Sequence, residues 1–207
     1  TGLRHQGRIT GNFLALMALG GVIATVGLLT TDPSRQAIAF VAAAVLAPGY
    51  EPVAKLALGI GLRRASVFWA GLVSSAAGYA ALLVGAAAAY LLLRFSGAAS
   101  VEELAGSSAV HKLAHPGLPE LLVSGCAAVA GMVMLSAFRR SVIAGPLIAM
   151  VLIEAAALVG AGLAAGRLDL AWEGAERLSL DATLVVVSGT IVVLLKQALV
   201  HRRQPLR

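Results

Sequence analysis

Charge is what this sequence has least of. Of its 207 residues, 13% are Asp, Glu, Lys or Arg, against roughly 25% in soluble domains. The mean hydropathy is +0.89. The apolar residues fall in long runs, which excludes an ordinary soluble core and points to membrane-spanning segments. Cysteine is nearly absent: Cys126 stands alone inside an apolar run, so there is no disulfide framework. No signal-peptide pattern opens the chain. The first residue is Thr1 rather than Met, so the natural start is expected to lie upstream. Also missing are a nucleophile–base pair, a phosphate-binding loop and a zinc motif. An enzyme needs at least one such constellation, so neither catalysis nor a metal or other cofactor is expected. A net charge of +6 would suggest nucleic acid in a soluble protein. Here charge is read against a bilayer, and no nucleic-acid partner is expected.

What is present is a series of six apolar segments, over residues 11–30, 33–62, 66–94, 120–138, 141–165 and 169–200. About 20 helical residues cross a hydrocarbon core of ~30 Å. Asp32 is placed to cap the second segment, and Pro33 suits its first turn. Ser66 is placed to cap the third. A connection rich in Gly, Ser, Ala and Pro fills residues 95–119. Six crossings put both termini on one side, with Arg4, Arg8, Arg63, Arg64, Arg139, Arg140, Arg202, Arg203 and Arg207 and no acidic residue. The other side holds Arg35, Arg94, Lys112 and Arg167 beside Asp32, Glu102, Glu103 and Asp169. That asymmetry follows the positive-inside rule and places both termini in the cytoplasm.

The halves resemble each other. A shift of 103 residues pairs Glu51 with Glu154, Gly59 with Gly162, Arg64 with Arg167, Ser66 with Asp169, and Trp69 with Trp172. The chain has two Trp, and they pair. Three crossings per half is an odd number, so the second half must insert upside down relative to the first, the inverted-repeat plan of many transporters. The expected architecture is therefore all-α: six transmembrane helices as two inverted three-helix repeats, residues 1–94 and 120–207, joined by an extracytoplasmic connection, 95–119.

The run Ala24-Thr25-Val26-Gly27-Leu28-Leu29-Thr30-Thr31-Asp32-Pro33, the Ala-Pro break after it, and Gly59-Ile60-Gly61-Leu62-Arg63 together resemble the DUF389 family of uncharacterised hydrophobic bacterial membrane proteins. Gly162-Leu163 and Arg167-Leu168-Asp169-Leu170-Ala171-Trp172 are similar to that family's second half. The resemblance covers roughly residues 12–200. It implies a multi-pass protein of the bacterial inner membrane, and it brings no established activity or site. Many members have a small apolar residue and Gly-Pro where this chain has Tyr50-Glu51-Pro52, and a Pro pair near Ile153-Glu154. The two glutamates therefore depart from the family pattern.

Chemistry concentrates where the second segment breaks, at Pro48-Gly49-Tyr50-Glu51-Pro52, expected at mid-membrane. Pro48 and Pro52 have no amide hydrogen, so in a continuous helix the carbonyls of Ala44 and Pro48 lose their partners. Such carbonyls are tolerated in a membrane where they face protein, water or an ion. Glu51 and Lys55 are four apart and share a face. A charge at the bilayer centre costs at least ~2.5–3.5 kcal/mol and turns toward the bundle interior or a wet cavity. Glu154 falls at mid-depth with no basic residue within a turn. A neutral acid there, ionising when a pathway hydrates, is a proton carrier; the bland alternative is a hydrogen bond between helices. Glu173, Arg177 and Asp181, spaced by four, form either an outer vestibule or the solvated start of the sixth helix, and the solvated start is favoured. Gly71, Ser75, Gly78, Ala81 and Gly85 line one face of the third segment and suit close helix packing or a homo-oligomer. The function expected is a transporter or channel for a small solute or ion, proton-coupled through Glu51 and Glu154, which are expected to face each other near mid-depth with Lys55 tuning one of them. The alternative is an oligomeric membrane scaffold whose glutamates lock helices together.

Overall fold

The computed structural model describes residues 9–136 and 144–200. Every described element is helical: α1 (Gly11–Leu29), α2 (Pro33–Leu46), α3 (Tyr50–Gly61), α4 (Ala65–Phe95), α5 (Val101–Ala105), α6 (Ser108–Ala114), α7 (Leu118–Ser136), α8 (Ala144–Ala165) and α9 (Leu168–Val200). Helices α1, α4 and α9 are each long and apolar enough to cross a membrane. The number rises to five if two bent pairs count as single spans: α2 with α3, at 57°, and α6 with α7, at 78°. Large apolar side chains such as Ile38, Val84, Leu92 and Leu199 point outward, as in a protein solvated by lipid. Arg4, Arg8, Arg139, Arg140, Arg202, Arg203 and Arg207, which carry most of the charge asymmetry, lie outside the described residues.

The starts of the helices follow local chemistry. Asp32 caps α2, accepting from the amides of Ser34 at 2.8 Å and Arg35 at 3.3 Å, with Pro33 in the first turn. Ser66 does not cap α4. That helix starts one residue earlier, at Ala65, with Arg64 in the capping position, because a tight elbow ends α3 and delivers the chain directly into α4. The 95–119 connection is not all loop. Ser100 and Glu103 close a capping box that starts α5, and the Ser107 hydroxyl donates to the Leu28 carbonyl at 2.6 Å. Helix α6 then turns Ala109, Val110 and Leu113 inward against α8 and α9.

Helix α8 is the centre of the bundle. Ala155, Ala156, Ala157, Leu158 and Ala161 on it are fully buried, and it packs against α1, α2, α4, α7 and α9. Its small residues let neighbouring backbones approach closely. An added Cβ on Gly160 would lie 2.9 Å from the Cβ of Ala86 on α4, and one on Gly189 of α9 would lie 2.8 Å from that of Ala57 on α3. The glycine stripe of α4 is used inside the chain as well: Gly71 meets the Pro52 carbonyl of α3, Gly78 meets Phe13, and Gly85 meets the Ala18 carbonyl of α1.

Two helix–turn–helix elbows share one geometry. After α3, the Arg64 amide donates to Gly59 at 2.9 Å and the Arg63 amide to Ile60 at 3.0 Å. After α8, the Arg167 amide donates to Gly162 at 2.9 Å and the Gly166 amide to Leu163 at 3.2 Å. Arg63 and Gly166 both hold the left-handed conformation, at φ 51° and 74°. Gly59 lies against the Phe68 amide as Gly162 lies against that of Ala171. Further along, a Cβ added to Gly71 would meet Pro52 O and Leu56 N at 3.0 and 3.1 Å, while one added to Gly174 would meet Ala155 O and Val159 N at 3.0 and 2.9 Å. Each position in the second set lies 103 residues after its counterpart in the first.

Candidate functional site

The break before Glu51 has a simple backbone cause. Ala47 precedes Pro48 and takes an extended ψ of 119°, as the residue before proline must, so α2 stops. Gly49 then opens α3 at Tyr50 with no side-chain cap. Because the helix does not run through 47–49, Pro52 falls in the first turn of α3. The amides of a first turn have no helical partner anyway, so Pro52 removes no bond, contrary to the expectation for a continuous helix. Protein satisfies one carbonyl at the break: the Tyr79 hydroxyl of α4 donates to Gly49 O at 3.2 Å. Glu51 sits in that first turn, where the helix dipole favours a negative charge. Glu51 and Lys55 are both half-buried, and the Glu51 charge acts on Lys55, as their shared face requires.

Glu154 has different company. It projects from α8, where nearly every neighbour is buried, yet it is itself partly accessible. It forms part of the wall of a cavity of about 330 Å³. Gln36 and Phe40 of α2, Lys112 and Leu113 of α6, Glu120, Val123 and Ser124 of α7, and Arg177 of α9 line the same cavity. Glu51 and Lys55 are not among its lining residues. The charges that act on Glu154 are Arg177 and Asp181.

Arg177 and Asp181 are the two most deeply placed charges among the described residues. Their side chains are 5% and 2% exposed, and Arg177 Nε lies 2.8 Å from Asp181 Oδ2. Arg177 Nη2 donates to Ser124 Oγ at 3.0 Å. Arg177 Nη1 is buried with no hydrogen-bond partner among the described residues. The solvated helix start expected for this stripe is overturned: α6 and α7 pack on α9 and bury the pair. Glu173, one turn earlier, is half-buried and outside the pair. Asp181 also acts on Tyr79, which links the buried pair to the Gly49 carbonyl at the break.

The structure therefore brings Glu154, Arg177 and Asp181 together and keeps Pro48, Gly49, Tyr50, Glu51, Pro52 and Lys55 as a neighbouring group. Sequence reasoning missed Gln36, Lys112, Ser124 and Tyr79. Ser124 carried a usable signal, a lone hydroxyl within an apolar run. Tyr79 carried none, because its partner is thirty residues away on a different helix.

A family model described as Domain of unknown function (DUF389) matches residues 44–187, a stretch that takes in both elbows, the break, Glu154 and the Arg177–Asp181 pair. This agrees with the resemblance carried by the Ala-Pro break and the Arg167–Trp172 run. No curated protein and no solved structure matches the chain.

Proposed function

The chain belongs to the DUF389 family, whose description names no activity, and from the cavity we propose that it is a membrane transporter or channel for a small solute or ion, proton-coupled through Glu154. One observation carries this reading. A cavity roofed by α6 reaches a carboxylate on the central helix, beside a buried arginine. A protein that only needed Glu154 to tie helices together would pack it dry. Ionisable groups within membrane bundles mark pathways and proton relays when they meet a wet cavity.

The frame proposed for the pathway is a pair of inverted three-helix repeats: α1, α2 with α3, and α4, then α7, α8 and α9. The matched elbows support it, as do two reciprocal contacts, Gly160 with Ala86 and Ala57 with Gly189. Residues of one half and their counterparts exchange places across the interface, which is the signature of a two-fold relation. With three crossings per half, that two-fold must turn the second half over. In this frame the break at 47–49 lies near mid-membrane. Glu51 is the counterpart of Glu154 and serves the opposite end of the route, and the termini share the cytoplasmic side.

The test is flux in proteoliposomes. Glu154→Gln is expected to abolish proton-linked flux while the protein still assembles, with Glu51→Gln also impaired. Unchanged flux in both variants would remove the coupling. Lowered stability with no flux to lose would instead favour the scaffold role.

A further inference from the structure

We propose that the cavity binds a small monocarboxylate with a short hydrocarbon body, which enters together with one proton carried by Glu154. This deepens the transport reading and rests on it for the direction of movement. It starts from Arg177. A guanidinium offers five N–H donors and no acceptor. Here Asp181 Oδ2 lies 2.8 Å from Nε and Ser124 accepts from Nη2, while Nη1 keeps no hydrogen-bond acceptor among the described residues. Arg177 lines the cavity, so an entering oxygen acid meets a fork that suits carboxylates. An entering amine would meet Arg177 and the Lys112 ammonium as well as Glu120 and Glu154, and could not use the guanidinium, which offers donors alone.

The rest of the wall fits the body of such a ligand. Phe40, Leu113 and Val123 are apolar and give a hydrocarbon a surface that a hydrated inorganic anion cannot use. About 330 Å³ is at the lower end of ligand cavities, ~300–1,000 Å³, and suits a small acid.

Charge balance supplies the proton. Arg177 and Asp181 cancel. With Glu154 ionised, a ligand carboxylate would compete with it for the same guanidinium. With Glu154 protonated, the ligand takes over the charge that Glu154 gives up, and the floor keeps its net charge. The other groups near this exchange are Lys112 of α6 and Glu120 of α7, both on the cavity wall, and Tyr79 of α4, on which Asp181 acts. His111 of α6 is exposed, α2 offers the Gln36 amide, α1 has no titratable side chain, and Glu51 and Lys55 of α3 lie outside the lining.

The experiment is calorimetric titration of the purified full chain in detergent with sodium hexanoate, hexylammonium chloride, hexanol and sodium chloride, between pH 6 and 8. Hexanoate should bind, and with the titration carried on to pH 10 its affinity should fall by up to about tenfold per pH unit at the alkaline end, where Glu154 gives up the required proton. Glu154→Gln should bind it with almost no pH dependence. Arg177→Lys should weaken it at least about tenfold, since an ammonium lacks the fork. Because Arg177→Lys perturbs a buried pair, Val123→Trp, at an exposed wall position, serves as a second variant and should block binding by filling the cavity. Preferred binding of hexylammonium, equal binding of hexanol, competition by chloride at hexanoate concentrations, pH-independent wild-type binding, or no binding would each overturn the proposal. Flux of another solute without hexanoate binding would overturn this proposal and leave the transport reading. Hexanoate binding with no proton-linked flux would do the reverse.

Discussion

Helices α3 and α8 each carry a carboxylate, Glu51 and Glu154, 103 residues apart. They use it differently. Glu51 stands in the first turn of a helix that begins at a break, with Lys55 one turn along the same helix. Its charge is answered locally, by the helix dipole and by a neighbour in sequence. Glu154 stands inside a continuous helix, and its cation, Arg177, comes from α9 already tied to Asp181. The counterparts of Arg177 and Asp181 on α4 are Ser74 and Gly78, which have no charge to offer. The two elbows share their backbone hydrogen bonds, while the polar side chains near them differ. The cavity is lined from α2, α6, α7, α8 and α9, and the carboxylate Glu154 of α8 stands in its wall.

The comparison can be broken most forcefully at the buried pair. Arg177→Met alone leaves Asp181 as an uncompensated buried charge and is expected to cost about 3–5 kcal/mol, read as a lower unfolding temperature in detergent. Arg177→Met with Asp181→Leu, which makes the second half as uncharged here as the first, should recover most of that loss. Equal losses in the single and the double variant would show that the pair is not coupled as described.

A smaller effect is expected where the halves meet. Gly160→Ala drives a methyl against the Leu83 carbonyl, 2.5 Å away; backbone cannot yield cheaply, and the cost should fall at about 1–3 kcal/mol. Gly189→Ala meets Ala57 and the flexible end of Met132, at 2.8 and 2.9 Å, so it should cost less. The reverse order would argue against the reciprocal contact. The elbows should show the smallest effect, with opposite signs. Gly166→Ala places a side chain in the left-handed region and should cost about 1–2 kcal/mol, while Arg63→Gly relieves that same strain and should stabilise, by less. Thermal unfolding of the two variants side by side measures both.

Much of this was legible in the sequence because it is local. Asp32 and Pro33 marked a helix start, Pro48 marked a stop, and the paired Gly and Arg positions marked the two elbows. What sequence could not supply was which helix covers which. Asp181 is thirteen residues into α9, so about 20 Å along it at ~1.5 Å per residue. Whether that stretch meets water depends on α6 and α7, and their bend at 115–117 folds them over it. Nothing in residues 95–119 announces that Leu113 and Ala109 turn inward. Tyr79 and Gly49 meet only because α4 packs along α3, a consequence of Gly71 and its neighbours that periodicity alone does not reveal.

Sided labelling tests the central claim, that water reaches Glu154 through the cavity under α6. Cys126 is exposed, so Cys126→Ser removes the background thiol and Glu154→Cys places a single one at the site. A membrane-impermeant maleimide applied to sealed vesicles should label that thiol from the α5–α6 side alone, and Val123→Trp should slow the labelling at least tenfold. No labelling from either side, or equal labelling from both, would contradict the account.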